Sequence, residues 1–183
     1  MSNLTKNRFL PFVAFMIYAL VLTNCKNDKD ELPYFNTADF TPEWYSYPEL
    51  ESTQLHKIAD FSFTDQNNNR VSNKDFEGKV YVSNFFFTTC PGICPQMTAN
   101  MVKLQDIFKD DDRVKFISHT VTPWIDTVAQ LQRYAEEYNV IPDKWHLVTG
   151  EKEKIYNIAR NSYFAEMEIG LSLIHISEPT RPY

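Results

Sequence analysis

Two cysteines, Cys90 and Cys94, lie close enough in the sequence to act on one ligand or to form one disulfide. Paired thiolates can exchange disulfides with another protein or bind a soft metal ion such as Cu(I), which accepts few ligands. Dithiol oxidoreductases typically have two residues between their cysteines, whereas three separate this pair, and the wider loop favours metal binding. A structural zinc site would need four ligands, and the sequence has no second cysteine pair. A structural disulfide is the remaining alternative, although so short a loop would constrain the unfolded chain little.

The elements that flank the cysteines place them between a strand and a helix. Residues 79–87 form an apolar run rich in aromatic and β-branched side chains, which predicts a central strand buried on both faces. The helix N-terminus that follows would favour thiolate over thiol. One face of this helix is predicted to carry apolar residues at steps of four, three and four, so its methionines are interpreted as core rather than as copper ligands: Met97, Met101, Leu104 and Phe108.

The rest of the chain alternates between predicted strands and helices, and its 183 residues suit one domain. Such alternation predicts an α/β fold with a central, mostly parallel sheet flanked by helices. The predicted elements are a hairpin over residues 60–71, a strand over 114–121, a helix opened by a capping box at Thr127 and Gln130, a strand over 145–148, and a helix carrying Ile155, Ile158 and Ala159.

The first 24 residues predict an export signal, because Lys6 and Arg8 precede an apolar run over 9–22 that is too short to span a bilayer comfortably. Cys25 follows, and Leu22-Thr23-Asn24-Cys25 resembles the lipobox of bacterial lipoproteins, with Asn24 where a small residue is usual. We expect an exported protein, lipid-anchored through Cys25 at the periplasmic face of the cell membrane or at the outer membrane. A signal cleaved elsewhere or retained is the alternative. Residues 25–55 are predicted to be a tether and lead-in.

The cysteine run Thr88-Thr89-Cys90-Pro91-Gly92-Ile93-Cys94-Pro95 resembles the T-x-C-P-x-x-C-P signature of the SCO family, also called SenC. The resemblance extends from about residue 33 to 170 and includes Trp145-His146-Leu147-Val148-Thr149-Gly150. It implies a thioredoxin-like domain over residues 56–170. It also implies a copper metallochaperone that delivers copper, reduces the cysteines of its target, or both, during assembly of the binuclear copper centre of cytochrome c oxidase.

The resemblance assigns the two thiolate positions of the copper site to Cys90 and Cys94, which would form a disulfide when oxidised. Residues 121–127 resemble the family's V-D-P-x-x-D-T segment, in which Thr122 replaces the first acid and Asp126 matches the second. We interpret Asp126 more simply as a helix-entry residue.

The third copper ligand of the family is a histidine beyond the last predicted helix, and no histidine of this chain is assigned to that position. His119 lies near the end of the predicted strand over 114–121 and could approach the cysteine loop, but we expect it to be partly buried and hydrogen-bonded. His56 and His146 are expected to be structural. Residues 171–183 resemble translated adapter DNA, so His175 is not taken as a ligand. We therefore expect an incomplete domain without its closing strand-strand-helix unit, with an unpaired sheet edge and weaker Cu(I) binding than a longer version.

Composition and chemistry leave two other classes of function to weigh. A formal net charge of -6 and the absence of a basic stripe argue against nucleic-acid binding. A thiol-disulfide oxidoreductase or peroxiredoxin-like enzyme would use the same two cysteines, although peroxide reduction would favour an activating Arg and Thr around one cysteine. A surface-anchored module with an inert disulfide would bind no metal. Enzymatic activity therefore stays open, with a metallochaperone preferred.

Overall fold

The computed structural model describes residues 32–165, which fall into two compact units. The described part of the first unit comprises residues 32–34 and 42–53. It contains an antiparallel bridge between Tyr34 and Glu43 and a short helix, α1 (Tyr47–Ser52). The helix lies within the predicted tether and was not predicted. Its signal is Ser46 followed by Glu49, a capping box in which the Glu49 carboxylate accepts the backbone N–H of Ser46 at 2.8 Å.

The second unit is built on a five-stranded mixed sheet in the order β2-β1-β5-β4-β3. Strands β3, β4 and β5 are parallel, and β1 pairs antiparallel with both β2 and β5. This arrangement confirms the predicted α/β sheet flanked by helices, with the predicted hairpin as its antiparallel edge. The elements are β1 (Ser62–Asp65), β2 (Arg70–Ser72), a 3₁₀ turn (Asn73–Phe76), β3 (Val80–Phe86), α2 (Cys94–Phe108), β4 (Val114–Thr120), α3 (Val128–Glu137), β5 (Trp145–Thr149) and α4 (Lys152–Asn161).

Two apolar cores cover the two faces of the sheet, because neighbouring residues of a strand point to opposite faces. Phe116 and Leu147 lie in a core with the buried sides of α2 and α3. Ile117 and Val148 lie in the other core, with the hairpin aromatics and α4. All four of these side chains are fully buried, so β4 and β5 are the strands covered on both faces.

The prediction that β3 is a central strand is wrong for the residues that the structure describes. β3 pairs only with β4 and lies at the edge of the described sheet. Its residues 81–85 are half-buried, Val80 is exposed, and only Phe86 is buried. An apolar run indicates that side chains are covered but does not fix the order of the strands.

The buried face of α2 also differs from the predicted stripe. Met101 is buried as expected and Met97 and Leu104 pack partly against the core, but Phe108 is 36% exposed. Two polar residues are buried in its place, Thr98 and Gln105. Both form hydrogen bonds that compensate for their burial: Thr98 with the Tyr134 hydroxyl at 2.8 Å, and Gln105 with the backbone of Asn139 and Ile141 at 3.1 and 2.8 Å.

Several expectations concern residues outside the described range. The export signal over residues 1–24, the lipidation of Cys25, and the tail over 171–183 with His175 all lie there. In the part of the chain that is described, no helix is both long and apolar enough to cross a membrane.

Candidate functional site

The two cysteines lie at the carboxyl end of β3, where the chain turns into α2, as predicted. Cys90 is half-buried in the connecting loop, and Cys94 is the first residue of α2 and is 5% exposed. Pro95 takes the second position of the helix, where a backbone N–H has no helical partner. Both thiols are free, and both side chains pack against the core that contains α2 and α3.

The environment of Cys90 favours its thiolate. Burial by itself would raise the pKa of Cys90, but hydrogen bonds from the Cys94 thiol and from the backbone N–H groups of Gly92, Ile93 and Cys94 outweigh it. The pKa of Cys90 therefore lies below the ordinary value for a thiol. The amides of Ile93 and Cys94 belong to the N-cap and first residue of α2, where backbone N–H groups have no partner within the helix and can donate to this sulfur.

The environment of Cys94 favours its thiol. Burial and, after it, the hydrogen bond that its thiol donates to Cys90 raise the pKa of Cys94 to about 11. The pKa of Cys90 therefore lies below that of Cys94, and Cys90 is the more exposed of the two sulfurs. This difference is the arrangement that disulfide exchange requires, in which one thiolate attacks and the second thiol resolves.

The donor set also fits a soft metal ion. Two adjacent sulfurs suit Cu(I), which binds thiolates at low coordination number. Within residues 32–165 there is no cluster of three or more His, Cys, Asp or Glu side chains that could hold a metal. The sulfur donors that the described residues offer for such an ion are Cys90 and Cys94.

Asp126 is not the helix-entry residue that the sequence suggested. Thr127 is the N-cap of α3, and its hydroxyl accepts the backbone N–H of Gln130 at 3.3 Å. Asp126 is instead fully buried and accepts the hydroxyl of Thr88 at 2.5 Å, two residues before Cys90. Sequence reasoning missed the role of Thr88, whose only signal was its place in the cysteine motif.

His119 is excluded from the cysteine site by the alternation of β4. It lies on the face of Ile117, opposite the core that holds Cys90 and Cys94, with rings of Phe61, Phe63, Phe85 and Tyr163 at centroid distances of 5.1 to 5.9 Å. The expected partial burial and hydrogen bonding are both wrong. The side chain is completely buried, and neither ring nitrogen has a partner among the described residues. Burial lowers the pKa of His119 to about 3.

The other two described histidines have the expected structural contacts. His146 Nδ1 lies 3.1 Å from the buried carboxylate of Asp65. His56 Nε2 lies 2.8 Å from the backbone oxygen of Ser162. The methionines of α2 likewise pack in the core, as interpreted from their spacing.

Comparison with known proteins gives consistent matches for this fold and site. A Bacillus subtilis protein named SCO1 protein homolog is 35% identical over 112 residues, which are 60% of this chain and 58% of that protein. The crystal structure of a SCO1/SenC family lipoprotein from Bacillus anthracis is 34% identical, with a TM-score of 0.55 over 59% of this chain and 66% of that one. The chain thus spans less than two thirds of these relatives.

Two further similar structures bear on cytochrome c oxidase assembly and on copper. BsSco, described as a member of the Sco family of cytochrome c oxidase assembly proteins with a disulfide switch, is 34% identical, with a TM-score of 0.56 over 61% of this chain and 67% of that one. ScoI of Bradyrhizobium japonicum, solved with copper bound, is 27% identical, with a TM-score of 0.52 over 58% of this chain and 67% of that one. The SCO1/SenC family pattern itself matches residues 50–171. That match covers more than half of the sequence, and the chain belongs to the SCO1/SenC family.

Proposed function

We propose that this protein is a copper metallochaperone that binds Cu(I) through Cys90 and Cys94 and acts in assembly of the binuclear copper centre of cytochrome c oxidase. The observation that carries the proposal is the pair of free, hydrogen-bonded thiols at the N-terminus of α2. The copper-bound ScoI relative and the assembly role named for BsSco support it. Two thiolates of one loop bind Cu(I) firmly yet leave room for the sulfurs of a receiving protein.

The copper-bearing subunit of the oxidase is the partner in this proposal, and a lipid on Cys25 would hold the protein at the membrane. The lipoprotein description of the Bacillus anthracis relative supports such an anchor. Incorporation of a labelled fatty acid into the unsubstituted protein, and its loss in a Cys25→Ser variant, would test it. No incorporation into the unsubstituted protein, or equal incorporation into both, would contradict it.

Reduction of cysteines in the target is the second activity to weigh, and the unequal acidity of the two thiols favours it. The Cys90 thiolate would attack a target disulfide, forming a mixed disulfide and releasing one target sulfur. Cys94 would then attack the Cys90 sulfur and release the second target sulfur. The Cys94 proton would pass to one of the two target thiolates, and water would supply the proton for the other. The products would be a Cys90–Cys94 disulfide and a target dithiol, so two electrons leave the protein for each target disulfide reduced.

One experiment separates delivery from reduction. A soluble copper-bearing subunit is prepared with its cysteines either reduced or joined in a disulfide, and each form is mixed with this protein, either Cu(I)-loaded or metal-free and reduced. Delivery predicts transfer of copper to the reduced subunit. Reduction predicts that the metal-free protein converts the oxidised subunit to its dithiol form.

The matched control is Thr89→Ala, an exposed position in the same loop, which should retain both activities. The double variant Cys90→Ala/Cys94→Ala should lose both. Transfer of copper by the double variant at the rate of the unsubstituted protein would refute the assignment of the site.

A further inference from the structure

A buried carboxylate lies beneath the cysteine loop and is not explained by helix capping. Asp126 is 0% exposed. Its oxygens accept hydroxyl protons from Thr120, from Thr122 at 3.0 Å and from Thr88 at 2.5 Å. The backbone N–H of Thr88 also approaches both oxygens, at 3.3 and 3.4 Å. Such a set of donors compensates for the cost of burying a carboxylate.

Thr88 is the member of this cluster that belongs to the cysteine loop. Its hydroxyl donates to Asp126 and accepts a proton from the Gln130 side chain at 3.1 Å. Asp126 precedes α3 and Gln130 lies in its first turn. The start of the loop is therefore joined by side-chain and backbone contacts to the connection between β4 and α3.

The remainder of the loop has little to hold it in place. Residues 91–93 are exposed, and Ile93 is 76% exposed. A Cβ atom built on Gly92 would meet no atom within 4 Å. Cys94 is fixed by α2. The Cys90 sulfur accepts hydrogen bonds from the amides of residues 92–94 and from the Cys94 thiol, and on the other side the Cys90 backbone N–H donates to the Phe87 carbonyl at 3.3 Å, next to Thr88. The contacts of Thr88 are thus well placed to fix where the Cys90 sulfur lies.

We infer that Asp126 is a positioning residue for the dithiol, acting through Thr88 to hold the Cys90 sulfur against the Cys94 thiol. The part of this inference that concerns copper affinity rests on the proposed function. The part that concerns the balance between dithiol and disulfide does not require copper. Loss of the Asp126–Thr88 contact would free the Cys90 end of the loop and cost the reduced state its hydrogen bond between the two sulfurs.

The test compares Asp126→Asn, Thr88→Val, the double variant and Thr88→Ser in the full chain. The Cys90–Cys94 disulfide of each variant is equilibrated with glutathione. Two glutathione thiols supply the two electrons and two protons that reduce this disulfide, and they become glutathione disulfide. Cu(I) dissociation constants are measured against a competing chelator, and unfolding midpoints are recorded for every variant.

We expect Asp126→Asn and Thr88→Val each to shift the glutathione equilibrium about tenfold towards the protein disulfide, since one hydrogen bond to a charged group contributes about that factor. Cu(I) affinity should fall by a similar factor. Because the two residues act through one contact, the double variant should resemble either single variant. Thr88→Ser keeps the hydroxyl and should remain within about twofold of the unsubstituted protein.

A matched control is Tyr163→Phe, which removes a half-buried hydroxyl that lies 3.1 Å from the Tyr81 hydroxyl on the other face of the sheet. It should lower the unfolding midpoint without moving the glutathione equilibrium. The inference is overturned if Asp126→Asn and Thr88→Val change only the unfolding midpoint, or if their effects on the equilibrium add independently. Should Asp126→Asn not fold, Thr88→Val against Thr88→Ser decides the question. Failure of the unsubstituted protein to bind Cu(I) would refute the proposed function, while the glutathione equilibrium would still test the position of Cys90.

Discussion

At the scale of single residues, the two cysteines are chemically identical but occupy different environments. Amide donors at the start of α2 and the neighbouring thiol lower the pKa of Cys90, whereas burial raises the pKa of Cys94 to about 11. The sequence predicted two cysteines of lowered pKa at a helix N-terminus, but not which of the two sulfurs is the more exposed. That difference depends on how the cysteine loop packs in the folded protein, which the spacing of the cysteines does not determine.

The difference between the sulfurs predicts unequal reactivity towards an alkylating reagent. At neutral pH, Cys90 in a Cys94→Ser variant should react at least about tenfold faster than Cys94 in a Cys90→Ser variant, because it has both the larger thiolate fraction and the better access. Mass spectrometry of the modified chains gives both rates. Equal rates, or faster reaction of Cys94, would contradict the assignment of the nucleophile.

Burial of His119 should make the free energy of unfolding depend on pH in the acidic range. Burial holds its pKa near 3 in the folded protein against 6.5 ordinarily, so between these values the unfolded chain binds one more proton. Stability is therefore unaffected by this residue above pH 6.5 and falls as the pH drops towards 3, by about 1.4 kcal/mol for each unit. Urea unfolding at pH 7 and pH 5 measures this effect. Between these pH values the free energy of unfolding should fall by about 2 kcal/mol less in His119→Phe than in the unsubstituted protein.

Phe85→Leu serves as the control for that experiment, because it removes a ring that stacks on His119 without removing a titrating group. It should lower the free energy of unfolding by a similar amount at both pH values. An unchanged pH dependence in His119→Phe would show that other groups cause the acid sensitivity.

Among the strands and helices of the second unit, local sequence patterns predicted where each element lies in the chain. They predicted less well how the elements are arranged in space. Residues 145–148 were predicted as a strand, and β5 is indeed a strand that is buried at every position. The apolar run over residues 79–87 predicted β3 correctly as a strand but gave the wrong place in the sheet, because strand order is set by contacts between distant segments. Asp126 was misread for a related reason: its partner Thr88 is 38 residues away in the sequence.

The side chain of Gln66 forms a contact between two strands that no local sequence pattern predicts. Its buried side-chain amide donates to the Trp145 carbonyl at 3.0 Å and accepts the Leu147 N–H at 2.8 Å, extending the pairing of β1 with β5 beyond Asp65. Gln66→Ala should therefore destabilise the fold by about 2 kcal/mol, because it leaves two buried backbone groups without partners. The neighbouring exposed Asn67→Ala is the comparison variant. A Gln66→Ala protein as stable as Asn67→Ala would contradict this role.

At the scale of the whole molecule, one sheet separates the dithiol from the aromatic cluster around His119. The core with α2 and α3 supports the cysteines, and the core with the hairpin and α4 encloses the histidine. The family resemblance anticipated the thioredoxin-like fold and the place of the cysteines at a strand end. It did not indicate that α3 would carry Gln130 to the cysteine loop, which follows only from the packed structure.

Copper binding to the folded protein should raise its stability by mass action. A ligand at 100 times its dissociation constant adds about 2.7 kcal/mol if it binds only the native state. Reduced protein with one equivalent of Cu(I) should therefore unfold several degrees higher than metal-free protein in a thermal scan. The double variant Cys90→Ala/Cys94→Ala should show no increase, and an equal increase in that variant would place the bound copper elsewhere.

Joint binding of Cu(I) by Cys90 and Cys94 can be measured by titrating the reduced protein with Cu(I) in competition with a chromogenic chelator. We expect one Cu(I) to be withdrawn from the chelator per chain, with this withdrawal retained in Thr89→Ala and lost in both Cys90→Ala and Cys94→Ala. No withdrawal of Cu(I) by the unsubstituted protein, or undiminished withdrawal by either cysteine variant, would contradict joint binding.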